Sequence, residues 1–387
     1  MLQVRRVADL DAFHALAPAW NALVDRRDPA SIFWSHAWVG PWFDAFGAGR
    51  TPAVLVATLE DRLVGVLPLC ASRRRIGVRR LDLMANGHSP CADLIAEPGL
   101  HAPVRQAFAR HLRDTWTEWD EAQLPELRAD SHLARCLDLH PDIRCGVQPQ
   151  RRAPYIVLDG DWDGFRTSLS KNFQKVLRNN RNRVARQGGA EIECIEAQAD
   201  LPAALDEAMA LGEHSWQGHE GSGIGSTPEN ARFYRGMVAE LGARGLVRLW
   251  FLRLGGQRVA FELHVVHGDV EFGLKTGYRS DLEEVGIGTY LDQHIVQQLF
   301  AEKRCREYDL LGDFDFYKRR WTEQARDYVR VTAFGQRLGA RALSHWNLEL
   351  RPRLRQQARL LRLRAGVAAA AVGAEAFVDR LTTGRWP

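Results

Sequence analysis

The chain has no pair of cysteines at CxxC spacing. Its six cysteines, Cys70, Cys91, Cys136, Cys145, Cys194 and Cys305, stand far apart. Dispersed thiols exclude a zinc ribbon and a disulfide framework, and they fit a reducing compartment without a metal site. The opening MLQVRRVADLDAF contains no continuous apolar stretch of the kind a secretory signal needs. No uninterrupted apolar run reaches the roughly 18–20 residues that span a bilayer. A cytoplasmic protein is expected. The composition of a disordered chain is also absent, since 45% of the residues are hydrophobic. A length of 387 residues is too great for one ordinary core. Two domains of roughly 150–200 residues are therefore expected. The formal charge of +4 suits an anionic ligand without demanding nucleic acid.

What the first half does hold is aromatic and strand-forming. Phe13, Leu16, Ala17, Trp20, Leu23 and Val24 recur at helical spacing between Asp11 and Arg27, and Asp28-Pro29 ends that run. Ser35 to Phe46 carries Trp38, Trp42, Phe43 and Phe46, which reads as core packing. Strands are expected at Ala53–Leu59, Arg62–Cys70, Arg79–Leu83 and Asp93–Ile95, and a helix at Val104–Trp119. The loop Ala85 to Pro90 can place His88 or Asp93 over a cleft. The polar, proline-containing segment His140 to Pro154 reads as a connection, with the domain break near residue 150.

A basic helix follows. From Gly164 to Ala190 there is no acidic residue, while Arg166, Lys171, Lys175, Arg178, Arg181, Arg183 and Arg186 supply seven positive charges. Leu169, Phe173, Val176, Leu177 and Val184 keep one face apolar. Such a run is either a solvated face or an anion site, for a phosphorylated cofactor, an acidic glycan, a nucleotide-linked acceptor or RNA. Lys171 and Arg178 are candidate substrate-binding residues, together with His214 and Trp216 beside the glycine-rich stretch 218–226, which reads as a closing loop.

The stretch Val247 to Trp321 has the most chemical content. Three strand-like runs are joined by Gly255-Gly256 and His267-Gly268-Asp269. Glu262 and His264 share one face of the second, opposite Phe261, Leu263 and Val265. The third contains Gly273 and Gly277, which mark a bulge or a close backbone approach. Gly286-Ile287-Gly288-Thr289 then opens a helix whose free amides can hold phosphate. A short strand, Tyr308 to Leu311, is expected parallel to the third run. Asp313, Asp315, Tyr317 and Lys318 follow at its C-terminal edge, where open α/β sheets bind ligands.

That order of elements resembles the GNAT acyltransferase fold. SLSKNFQKVLRNNRNRVARQGG (168–189), HSWQG (214–218), YDLLGDFDFYKRRW and FWSHAWVGPWF are similar to the CelD-like acetyltransferases, relatives of the FemAB transferases. The resemblance implies an α/β protein with mixed sheets and tandem GNAT-like domains. Residues 1–150 would be a degenerate half shaping the acceptor cleft, 151–340 the catalytic half, and 341–387 an arginine-rich helical tail. It implies transfer of an acetyl or acyl group from CoA to an amine or hydroxyl, on a cell-envelope or exopolysaccharide precursor. Amides around Leu274, Lys275 and Thr276 would polarise the thioester, and Gly286, Gly288 and Thr289 would hold phosphate. Glu262, Asp313 or His264 would be the base, Tyr317 the acid, and Lys318 would neutralise charge. An aminoacyl-tRNA-dependent transferase and a non-catalytic protein of a polysaccharide-synthesis assembly are the alternatives. The tail reads as a docked or frayed helix, or as a peripheral membrane contact.

Overall fold

The computed structural model of the chain describes residues 1–24, 28–74, 77–135, 143–213 and 223–354. The first half contains β1 (Leu2–Val7), α1 (Leu10–Ala15), α2 (Ala17–Asn21), α3 (His36–Phe46), β2 (Thr51–Pro52), β3 (Val54–Leu59), β4 (Arg62–Leu67), β5 (Leu69–Arg73), β6 (Arg79–Leu83), β7 (Ile95–Ala96), α4 (His101–Arg110) and β8 (Glu121–Arg128). The long strand β9 (Arg144–Val157) leads to the second half. There α5 (Trp162–Ser168) and α6 (Lys171–Ala185) precede β10 (Ala190–Ile195), α7 (Leu201–Glu213), α8 (Pro228–Gly242), β11 (Val247–Leu254), β12 (Gln257–His267) and β13 (Val270–Tyr278). Then come α9 (Ile287–Glu302), β14 (Glu307–Asp309), β15 (Ala325–Phe334) and α10 (Leu338–His345).

The two halves repeat one topology. Each runs strand, helices, antiparallel strands, helix, then a strand that pairs in parallel with an earlier strand of the same half. The parallel pairs are β6 with β8 and β13 with β14. The strands form a four-stranded sheet, β1-β3-β4-β7, and an eleven-stranded sheet, β10-β11-β12-β13-β14-β9-β15-β8-β6-β5-β2. One sheet thus runs through both halves, and residue 150, the expected domain break, lies inside β9. The proline-containing segment is a strand in which Pro149 pairs with Val329 where the register shifts and Pro154 pairs with Ala325 at the start of β15; proline is tolerated at irregular and end positions of a sheet.

Helix ends differ from expectation for local reasons. The run from Asp11 becomes two short helices meeting at Leu16, with Pro18 in the first turn of the second. The basic run is likewise two helices. Leu169 is extended, and the Ser170 side chain accepts from Phe173 N to cap α6. The helix expected to reach Trp119 ends at Arg110 and passes into a wider turn, His111–Thr115.

Tryptophans hold the halves together. Trp38 of α3 meets Phe233 of α8 edge-on at 5.4 Å, and Phe33 meets Phe272 of β13 at 4.9 Å. Trp38 and Trp42 are at most 1% exposed, so the aromatic run is core. On the opposite face of β10–β13 lies a second apolar layer of α6 and α9, including Phe173, Leu177, Leu291 and Ile295. The tail begins docked: Leu348 fills the space beside Gly146 of β9, and Glu349 pairs with Arg144. Residues 355–387, with most of the expected tail helix, lie outside the described residues. No helix among the described residues is long and apolar enough to cross a membrane.

Candidate active site

Two bulges decide which side chains meet. In the β11–β12 hairpin the register shifts between Leu252 and Arg253, which places Arg248 directly across from His264. Between β12 and β13 it shifts after Leu263. His264 pairs with Gly273 and Leu263 with Lys275, leaving Leu274 as the extra residue. Opposed residues share a face, so the bulge moves Lys275 to the side of Leu263 and Phe261, toward the first half. Thr276 returns to the side of Glu262.

Beneath α9 the Glu262 face forms a buried polar chain. Arg248 donates to Glu271 at 2.8 Å and to Glu302 at 2.8 and 3.0 Å. Glu271 Oε1 lies 2.7 Å from His264 Nδ1, and His264 Nε2 lies 3.0 Å from Glu262 Oε2. The Tyr308 hydroxyl donates to the same Glu262 oxygen at 3.2 Å. His264 and Glu271 have no exposed surface, and Glu262 is 4% exposed. Burial alone would lower the His264 pKa, but Glu262 and Glu271 reverse this and raise it to about 9. Burial pushes Glu271 up, and His264 and Arg248 more than offset that, leaving its carboxyl below the usual range. Asp292 of α9 is held well above the carboxylate range by burial and by Glu262. An imidazole that keeps its proton to about pH 9 is not poised to accept one, so the expected role of His264 as base gives way to charge compensation.

The other face opens into a cleft. β13 and β14 pair only over Val270–Phe272 with Glu307–Asp309, and the strands then diverge just as β13 bulges at Leu274. At the divergence is a pocket of about 360 Å³. The first half contributes Gly87, His88, Ser89 and Pro90; the second contributes Tyr234, Leu274, Lys275, Gly312 and Asp313. His88 approaches the Tyr234 hydroxyl at 3.1 Å and stacks on Phe46. Burial and then Lys275 lower its pKa to about 4, so it is neutral near pH 7. Burial, then Lys318, brings Lys275 down to about 8. Arg151 of β9 ties the walls together, donating to Pro90 O at 2.6 Å and Gly312 O at 2.8 Å while pairing with Glu126 at 2.9 Å.

The other expected residues take varied places. Lys318 Nζ donates to Leu311 O at 2.7 Å and so fixes the turn after β14; burial lowers its pKa. Tyr317 is 37% exposed in the turn before Lys318 and is not among the pocket's lining residues. Gly286 has φ +79° and begins α9 without a side-chain cap. Asn180 of α6 sits against it, 2.5 Å from where a Cβ would be. Gly288 is covered by the Tyr278 ring, and Thr289 follows in the first turn. Gly273 and Gly277 make room for protein rings, Tyr308 and Phe261, rather than for a ligand backbone. Asp93 is fully buried, accepting amides of Leu94, His132 and Leu133, and does not reach the cleft. Lys171 and Arg178 line a separate groove between α6 and α9. His214 and Trp216 lie outside the described residues.

Sequence reasoning missed Glu271, Tyr308, Arg248, Asp292 and the side-chain direction of Lys275. The alternation of Arg248 with Trp250 was the one available signal for Arg248, since both share a strand face.

Residues 171–319 match the acetyltransferase (GNAT) domain family. No curated protein matches the chain. Among solved structures, a C-terminal domain named for a lysylphosphatidylglycerol synthetase of Agrobacterium fabrum superposes with a TM-score of 0.52 at 12% identity, covering 87% of this chain and 96% of that one. A conserved protein of unknown function from Bacteroides thetaiotaomicron gives 0.52 at 11% identity, covering 86% and 100%. FemX gives 0.49 at 10% identity, covering 81% and 96%. The fold is mixed α/β, and the acetyltransferase-type domain match lies in the second half.

Proposed function

We propose that the chain is a GNAT-type acyltransferase that takes an acyl group from CoA and delivers it to an amine or hydroxyl in the cleft between its halves. The observation that carries this reading is the divergence of β13 from β14 at the Leu274 bulge. A bulge frees backbone N–H groups from the ladder, and N–H groups of the Leu274–Thr276 segment would polarise a thioester carbonyl entering that gap. Gly286, Gly288 and Thr289 at the uncapped start of α9 suit the donor's phosphates.

Asp313, on the pocket wall, takes the proton as the acceptor's nitrogen or oxygen bonds to the carbonyl carbon. The carbon–sulfur bond breaks and the electron pair leaves on sulfur. Lys275 stands beside the bulge with a pKa of about 8, close to that of a thiol, and returns a proton to the thiolate. It replaces Tyr317 in this role because its side chain reaches the pocket. Glu262 and His264 lie behind β13 and hold the strand's buried face. Lys318 fixes the Gly312 turn.

The pocket's polar lining, His88, Ser89, Tyr234 and Gln150, suits a hydroxyl-rich acceptor. With the resemblance above, it supports an amine or hydroxyl of a cell-envelope or exopolysaccharide precursor. The test is thiol release from acetyl-CoA with amino sugars and their hydroxyl analogues. Asp313→Asn should cut kcat about 10²-fold or more while leaving the KM for the donor in place. Thiol release that no acceptor stimulates, or an unchanged kcat in Asp313→Asn, would overturn the assignment.

A further inference from the structure

The groove between α6 and α9 stands apart from the acceptor pocket and contains charge that nothing else among the described residues neutralises. Lys171, Lys175, Arg178 and Arg181 line it, all exposed. Among the described residues none of the four has an ion-pair partner. The sheet's arginines behave differently: Arg151, Arg248, Arg253, Arg258 and Arg326 are all paired. The groove's one acidic residue, Asp163, is engaged with Arg166.

Two further features make it more than a solvated face. Gln293 of α9 lines the groove, is only 7% exposed, and has a buried Oε1 with no hydrogen-bond partner. A buried amide oxygen without a donor is costly, and a ligand hydroxyl or amine would satisfy it. Trp162 adds an aromatic wall at the same site. The volume is about 730 Å³, within the range of small-molecule sites.

The groove is also joined to the start of α9. Asn180 packs on Gly286, and Arg183 donates to Glu284 O at 3.0 Å. The segment before that helix, Ser280–Val285, carries Asp281 and Glu283 in its first turn and no cation in its last. Phosphates held at Gly286 and Gly288 therefore need positive charge from elsewhere, and α6 is the helix packed there.

We propose that this groove binds the terminal phosphate monoester and nucleoside of a nucleotide-bearing donor, so that α6 distinguishes CoA from dephospho-CoA. This rests on the acyl-CoA reading above and adds to it the residues that select the donor. The cations face a monoester close to dianionic at neutral pH, Gln293 accepts from a ribose hydroxyl or base amine, and Trp162 stacks. The concave, bounded shape and the four-cation footprint favour a small nucleotide over a nucleic-acid helix or a membrane surface.

The experiment is calorimetric titration of the full chain with CoA, dephospho-CoA, adenosine 3′,5′-bisphosphate and bulk tRNA. The proteins are the wild type, K175E/R178E/R181E and the milder Gln293→Leu, each checked by thermal melting. The wild type should bind CoA about tenfold or more tightly than dephospho-CoA. The triple variant should lose that ratio, weakening CoA by about tenfold more than it weakens dephospho-CoA, and Gln293→Leu should weaken both ligands alike. Equal wild-type affinities for the two coenzymes would overturn the groove assignment and leave the acyl-CoA reading standing. No binding of either coenzyme removes both. Tighter binding of tRNA than of CoA, lost with the same charge reversals, would reassign the groove to RNA.

Discussion

His264 Nδ1 lies 2.7 Å from Glu271 Oε1, and neither residue has any surface exposed to solvent. The pair is the centre of a chain in which a doubly held imidazolium and the Arg248 guanidinium share one carboxylate. Glu271→Gln leaves both cations short of a partner, so stability should fall by about 3–5 kcal/mol. The pH dependence has a definite sign. The folded His264 pKa is raised from 6.5 to about 9, so its contribution is fully present below 6.5 and is lost as pH rises through 9. Urea unfolding at pH 6 and pH 9.5 should show the wild-type advantage over the variant shrinking at the higher value. Equal stability of wild type and variant at pH 6 would contradict the arrangement.

Lys275 predicts the opposite trend. Its pKa falls from 10.5 to about 8 on folding, so the unfolded chain binds the extra proton between those values, and this group's penalty is relieved as pH rises through that window. In the proposed mechanism activity moves the other way, because there the ammonium is the proton donor. The kcat profile should decline above about pH 8, and Lys275→Met should lower kcat about 10²-fold and abolish that alkaline limb. A limb that persists in the variant belongs to another group.

Gly286 has φ +79° with the Asn180 side chain 2.5 Å from the missing Cβ. Gly286→Ala should cost about 1–2 kcal/mol for the backbone alone, with a further loss from the collision. Asn180→Ala in the same chain should restore the second part and not the first. A double-mutant cycle by chemical denaturation isolates the coupling, and strict additivity would mean that the two residues do not meet.

Arg151 contacts three backbone or carboxylate partners from both halves, and its guanidinium also lies 4.1 Å above the Tyr328 ring. Arg151→Met should raise the acceptor KM more than the donor KM, because it releases both walls of one pocket. Arg151→Lys should rescue little, since one ammonium cannot span three fixed directions. Steady-state kinetics with each substrate varied in turn would check this, and full rescue by lysine would argue for charge alone.

Much of the second half was legible in the sequence. Glycine turns at 255–256 and 268 announced the hairpins, and Gly286 to Thr289 announced the start of α9. The crossover rule gave the parallel return of β14. Those signals are local, set by steric limits on φ and by the side-chain period of each element. The same locality explains the misses. Leu169 breaks the basic run in two, and Arg144–Val157 reads as a polar connection until β14 and β15 arrive to pair with it.

The sequence by itself determined the order of elements, the cationic helix, the alternation of Glu262 with His264 and the loop that bears His88. Tertiary structure decided which of these meet. An unbroken count from the Gly255-Gly256 turn sets Arg248 opposite Leu263; a bulge with no residue signature moves it to His264 and completes the buried chain. A second bulge turns Lys275 from the α9 side to the cleft. Register has a period of two, so one extra residue exchanges the faces, and only the packing of both layers against the sheet fixes where that residue goes.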